Sequence, residues 1–155
     1  MTIFLRMLAL IAAICLSGAH AMAAEGLTTI KSNFGPKDTM SRLEAEVKAR
    51  GMTVFAHIPH DRGAASVGIP LRPNDLLIFG NPKVGTTLMQ AAPTIGIDLP
   101  LKVLVWQDAD GSTWLSYNDP TWLAKRHGLG PDVEATVKTL TGVLHAVTAA
   151  AAGSE

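Results

Sequence analysis

Two short runs constrain this chain more than any other feature: Leu76-Leu77-Ile78-Phe79 and Val103-Leu104-Val105-Trp106 are apolar at every position. A strand with one wet face alternates apolar and polar residues, so strands of this kind belong to a sheet whose two faces both need cover. The first run ends at Gly80-Asn81-Pro82, and the second leads through Asp108-Ala109-Asp110-Gly111 into residues 112–118. That four-residue turn predicts an antiparallel hairpin. Upstream, Leu27 to Ser32 and Met52 to Ile58 read as two more strands, the latter setting Met52, Val54, Ala56 and Ile58 against Thr53, Phe55 and His57.

Helical patterns separate these strands. Pro36 opens a helix over about 36–50 with Met40, Leu43 and Val47 on one face, Glu44/Lys48 and Glu46/Arg50 as exposed pairs, and Gly51 as its stop. Shorter helices are predicted over 60–68, 86–95 (started and capped at Gly85-Thr86-Thr87) and 120–127, and a longer one runs from Pro131 to about 148. The Ala-rich tail at 146–152 reads as a fraying helix end. The resulting order, β-α-β-(α)-β-α-β-β-α-α, predicts an α+β two-layer sandwich: a mixed, mostly antiparallel sheet of about five strands with helices packed on it.

The N-terminus has a different character. Arg6, an apolar run from Met7 through Leu16 and small residues to Ala24 have the order of a secretory leader, with Ala19-His20-Ala21 and Ala21-Met22-Ala23 as cleavage sites. The run falls short of the roughly 18–20 residues that span a bilayer, so residues 1–23 are read as a signal peptide rather than an anchor. Ile14, before the single cysteine Cys15, is too bulky for a lipoprotein site. Residues 24–155 then form one domain of about 130 residues without cysteine, working in the periplasm or outside the cell. With 13 basic and 13 acidic residues well mixed, nothing favours nucleic-acid binding.

Phe79-Gly80-Asn81-Pro82-Lys83, Gly85-Thr86, Leu88-Met89 and Asp98-Leu99-Pro100-Leu101-Lys102 resemble the bacterial family called domain of unknown function 302. His60 upstream, with Tyr117-Asn118-Asp119-Pro120 and Arg126-His127-Gly128 downstream, extends the resemblance over nearly the whole domain. It implies a compact α/β domain, often a homodimer, with no established activity, cofactor or substrate.

The residues themselves offer several candidate sites. Gly80 and Gly85 have the separation of a phosphate-binding loop, but Thr86 stands where that loop needs its lysine and Pro82 removes a backbone donor. What survives is a small-anion or carboxylate site made by Asn81, Lys83, Thr86, Thr87 and Asp98, weighed against a plain turn and cap. His60, Lys83 and Lys102 are the candidates for acid/base and anion-stabilising catalysis. His57 and His60 form an H-x-x-H pair with weak metal or redox potential, since odd spacing on a strand sends the two rings to opposite faces. Arg126-His127-Gly128 is explained by helix capping. Trp106, Trp114, Tyr117 and Trp122 gather around the hairpin, with core packing as their default role.

Whether a cofactor is used is unknown from the sequence. A small-ligand or anion binding and interaction module is the leading functional expectation, followed by an enzyme and then a metal or redox accessory protein. The doubly apolar strands predict a homodimer, because the short helices at 60–68, 86–95 and 120–127 are small for sealing a second sheet face. No stable membrane anchor is expected after leader removal.

Overall fold

The computed structural model describes residues 24–154, so the leader and its cleavage sites lie outside the described residues. Five strands, β1 (Leu27–Lys31), β2 (Thr53–Pro59), β3 (Asn74–Gly80), β4 (Leu101–Gln107) and β5 (Thr113–Asn118), form one sheet in the order β1-β5-β4-β3-β2. All four pairings among the described residues are antiparallel, so the mostly antiparallel expectation holds, with no parallel pair among them. The helices are α1 (Pro36–Ala49), α2 (His60–Ser66), α3 (Pro82–Ala91), α4 (Pro120–Arg126) and α5 (Glu134–Ala152), with single 3₁₀ turns at Pro93–Ile97 and Pro131–Val133. The α+β sandwich read from the sequence is the architecture found.

Helix α1 packs on β2, β3 and β4, and α5 packs on β1 and β5, while the two helices pack against each other. Their shared face holds the core. Met40, Leu43 and Val47 meet Leu77, Phe79, Val103, Val105 and Leu115 there, and all but Met40 are completely buried. Each such side chain contributes about 1.5–3 kcal/mol by leaving water. On the opposite face, Leu76, Ile78, Leu104, Trp106 and Trp114 are only half-buried, and Leu27 and Ile58 are exposed. The doubly apolar runs are thus sealed on one side and part-exposed on the other.

Three local expectations are corrected. The register slips between Val54 and Ala56, leaving Phe55 without a partner, so Val54 pairs with Phe79 and Ala56 with Ile78 on opposite faces. Strict alternation had put Val54 and Ala56 together; the bulge breaks it and brings His57 opposite Leu77, on the helix-covered face. Helix α3 starts at Pro82, not near Thr86, because Asn81 caps it by accepting the Lys83 N–H at 3.0 Å and Pro82 suits the first turn. The Ala-rich tail does not fray: α5 runs to Ala152, and Ala151 and Ala152 are fully buried. Gly153 stops the helix at φ 70°, and Asn33 ties its end down through bonds to the Ala152 and Gly153 carbonyls.

Candidate functional site: an apolar cavity beside the start of helix α3

Gly80, Asn81, Pro82, Val84, Gly85 and Thr86 form one wall of a cavity of about 510 Å³. Gly80 ends β3 beside Pro100 and Phe55, where a Cβ would lie at ordinary contact distances of 3.6 Å and 3.7 Å. Helix α3 adds Val84, Gly85, Thr86 and Met89, while Leu99, Pro100 and Leu101 enter β4 through a cis Leu99–Pro100 peptide. Met52 and Phe55 come from the start of β2, and Thr139, Leu140 and Val143 from the middle of α5. The unpaired residue of the β2 bulge therefore supplies an aromatic wall.

Polar groups are few and sit among these apolar ones. Arg50, at the C-terminus of α1, donates from Nη1 to the Glu46 carbonyl at 3.2 Å and pairs with the Glu46 carboxylate. Its remaining N–H groups have no hydrogen-bond partner among the described residues. The Asn81 Oδ1 is taken up by the helix cap, leaving its amide N–H₂ to donate. Thr139 donates its hydroxyl to the Ala135 carbonyl at 2.9 Å, whereas the Thr86 hydroxyl has no partner among the described residues.

The remaining sequence candidates are distributed differently. Lys83 is exposed in the first turn of α3 and is not in the lining, and Thr87 donates its hydroxyl back to the Lys83 carbonyl at 3.1 Å. Lys102 Nζ donates to the carbonyls of Asp98 (2.8 Å) and Pro100 (3.0 Å), and burial pulls its pKa down against the opposing pull of Asp98. His60 is exposed at the first residue of α2, beyond Pro59, which pairs with Asp75 near the start of β3. Lys83 follows the other end of β3, so the structure does not bring His60, Lys83 and Lys102 to one point. His57 lies 3.6 Å from Asp75, and no group of three or more metal-ligating side chains forms among the described residues.

Sequence reasoning missed a polar cluster next to this wall. His127 Nε2 lies 2.6 Å from Asp98 Oδ2, its Nδ1 lies 2.9 Å from the Thr94 hydroxyl, and Arg126 approaches the same carboxylate at 3.3 Å. The His127 side chain is only 7 % exposed, far more buried than capping alone requires. Hydroxyl, imidazole and carboxylate in line is an arrangement that can relay a proton, but none of these residues lines the cavity. Their visible effect is to fasten the 93–98 turn to the end of α4. The signal available was the pairing of Asp98 with a histidine at a helix stop, which only the fold brings together.

Residues 28–147 match the model of the family described as "Domain of unknown function DUF302". This chain belongs to that family. A crystal structure of an uncharacterized conserved DUF302 protein from Bacillus stearothermophilus has the same fold, with a TM-score of 0.72 and 23 % identity over 81 % of this chain and 97 % of that one. A protein named fluoride-specific ion channel FluC 1 from Brucella suis is 44 % identical over 128 residues, which are 83 % of this chain and 50 % of that protein. The Brucella abortus protein of the same name is 44 % identical over 128 residues, 47 % of its length. The chain thus spans about half the length of the curated relatives it matches. Among the described residues no helix is long and apolar enough to cross a membrane.

Proposed function

We propose that this DUF302 domain is a binding module for a small apolar molecule, held in the cavity between α3, α5 and the start of β4. The carrying observation is the cavity itself. Its volume of about 510 Å³ lies within the range typical of small-molecule sites, and Met52, Phe55, Val84, Met89, Leu99 and Leu140 supply an apolar lining with few polar groups. This keeps the ligand-binding expectation and moves its centre: Asn81 and Thr86 stay at the site, while Lys83, Thr87 and Asp98 are not part of the lining. Fluorescence titration with N-phenyl-1-naphthylamine tests the reading. Val143→Trp, which fills the cavity from α5, should abolish binding while the circular dichroism spectrum is kept. Unchanged binding in that folded variant refutes it.

The module is also proposed to act as an exported homodimer. The half-buried Leu76, Ile78, Leu104 and Trp106, with exposed Ile58, support pairing through the sheet face opposite α1 and α5. Light scattering should return a dimer mass, and Leu104→Asp should lower it to a monomer. Export rests on residues 1–23, and an intact mass beginning at Ala24 or Met22 would support it. The longer Brucella relatives, named as channels, support a setting in which such a module serves a membrane transport protein.

A further inference from the structure

We infer that the ligand of this cavity is a single-chain aliphatic carboxylate, with its chain among the apolar side chains and its headgroup on Arg50; this rests on the cavity reading above. The lining holds one charged residue among those described, and it is a cation. Among the described residues the Arg50 side chain is engaged only by Glu46, four residues earlier on the same helix, and it is 36 % exposed. An ion pair of that kind is weak and readily exchanged for another carboxylate.

Two further residues of the lining carry donors of the same kind. The Asn81 amide and the Thr86 hydroxyl have donors without a partner among the described residues. Guanidinium, amide and hydroxyl are all donors, and an ionised carboxylate is an acceptor at both oxygens. No Asp or Glu lines the cavity among the described residues, so a cationic amphiphile has nothing to meet its charge. The size argues for one chain, because a volume of about 510 Å³ is that of a single small-molecule site.

The test is displacement of N-phenyl-1-naphthylamine from the full mature chain by decanoate and by decanol, each below its aggregation concentration. Decanoate should displace the probe at least about tenfold more tightly than decanol, a difference of about 1.4 kcal/mol. Each added methylene from octanoate upward should tighten binding about fourfold until the cavity is full. Arg50→Met should bring decanoate down to the level of decanol. Glu46→Gln, which releases Arg50, should tighten decanoate alone. Equal displacement by acid and alcohol in the unaltered protein overturns the carboxylate assignment while leaving the apolar cavity reading in place. If the probe itself fails to bind, the cavity reading falls, and this inference with it.

Discussion

Gly85 lets one substitution act on stability and on binding in opposite directions. It sits inside α3, its N–H bonded to the Asn81 carbonyl at 3.0 Å, and its backbone is not in the left-handed region. Gly85→Ala therefore carries no conformational strain and gains helix propensity of about 0.8–1 kcal/mol. The added Cβ would lie 3.8 Å from Leu99 Cδ1 and 4.0 Å from Met89 Cε, ordinary contact distances with two lining side chains. Net stabilisation of about 1 kcal/mol, or roughly fivefold in the folding equilibrium, is the expected result. The same methyl occupies the cavity wall, so probe affinity should fall. Gly142→Ala is the matched control, since it lies in α5 with nothing within 4 Å of its Cβ. It should stabilise by a similar amount and leave binding unchanged. Urea unfolding and probe titration on the three proteins decide the matter. A loss of about 1–3 kcal/mol in Gly85→Ala is the signature of overpacking and would mean that no room exists there. Retained affinity would refute the placement of the ligand beside α3.

Two predictions concern the framework. Gly26 and Gly111 both have positive φ, 77° and 80°, but a Cβ at Gly26 would fall inside the Trp122 ring, whereas at Gly111 it meets nothing within 4 Å. Gly111→Ala should cost about 1–2 kcal/mol of backbone strain and Gly26→Ala a further 1–3 kcal/mol, read by urea unfolding; equal losses would show that Trp122 yields freely. The Asp108 carboxylate is held below its usual range chiefly by the Trp114 indole N–H at 2.7 Å, helped by the N–H groups of Ser112 and Asp110 and by Lys31. A depressed carboxylate pKa stabilises the fold above the unfolded value of 3.8, and that contribution is lost as pH falls through the lower folded value. The stability advantage over Asp108→Asn should therefore shrink from about pH 4 downward, and an advantage that stays constant into acid would contradict the assignment.

Legibility in the sequence followed the range of the interaction concerned. Strands, helices and the hairpin are set by neighbouring residues, so Leu77 and Val103 could be placed in the core from their runs alone. Phe55 could not, because its role depends on a bulge whose partner strand lies more than twenty residues away. Ala151 and Ala152 carry too little side chain to signal burial, yet both are buried in the core that α1 and α5 share. Asn81 and Thr86, singled out in the sequence for their place at a helix start, are found in the cavity lining. Arg50 was hidden behind a surface-pair reading that is also correct.

The charged residues of the segment from Thr94 to Lys102 are engaged with other parts of the protein. Leu99, Pro100 and Leu101 form one wall of the cavity, and apolar contact alone leaves such a wall free to collapse inward. Polar groups hold it from both sides. Upstream, the Asp98 carboxylate is fixed to α4 by His127 and Arg126, with Thr94 bonded to the far nitrogen of the same imidazole. Downstream, Lys102 draws the carbonyls of Asp98 and Pro100 toward β4. The lining beside this wall is mainly apolar, with Arg50, Asn81, Thr86 and Thr139 as its polar members. Asp98 and Lys102 are thus engaged with the protein around this wall, contacts that only the fold brings together.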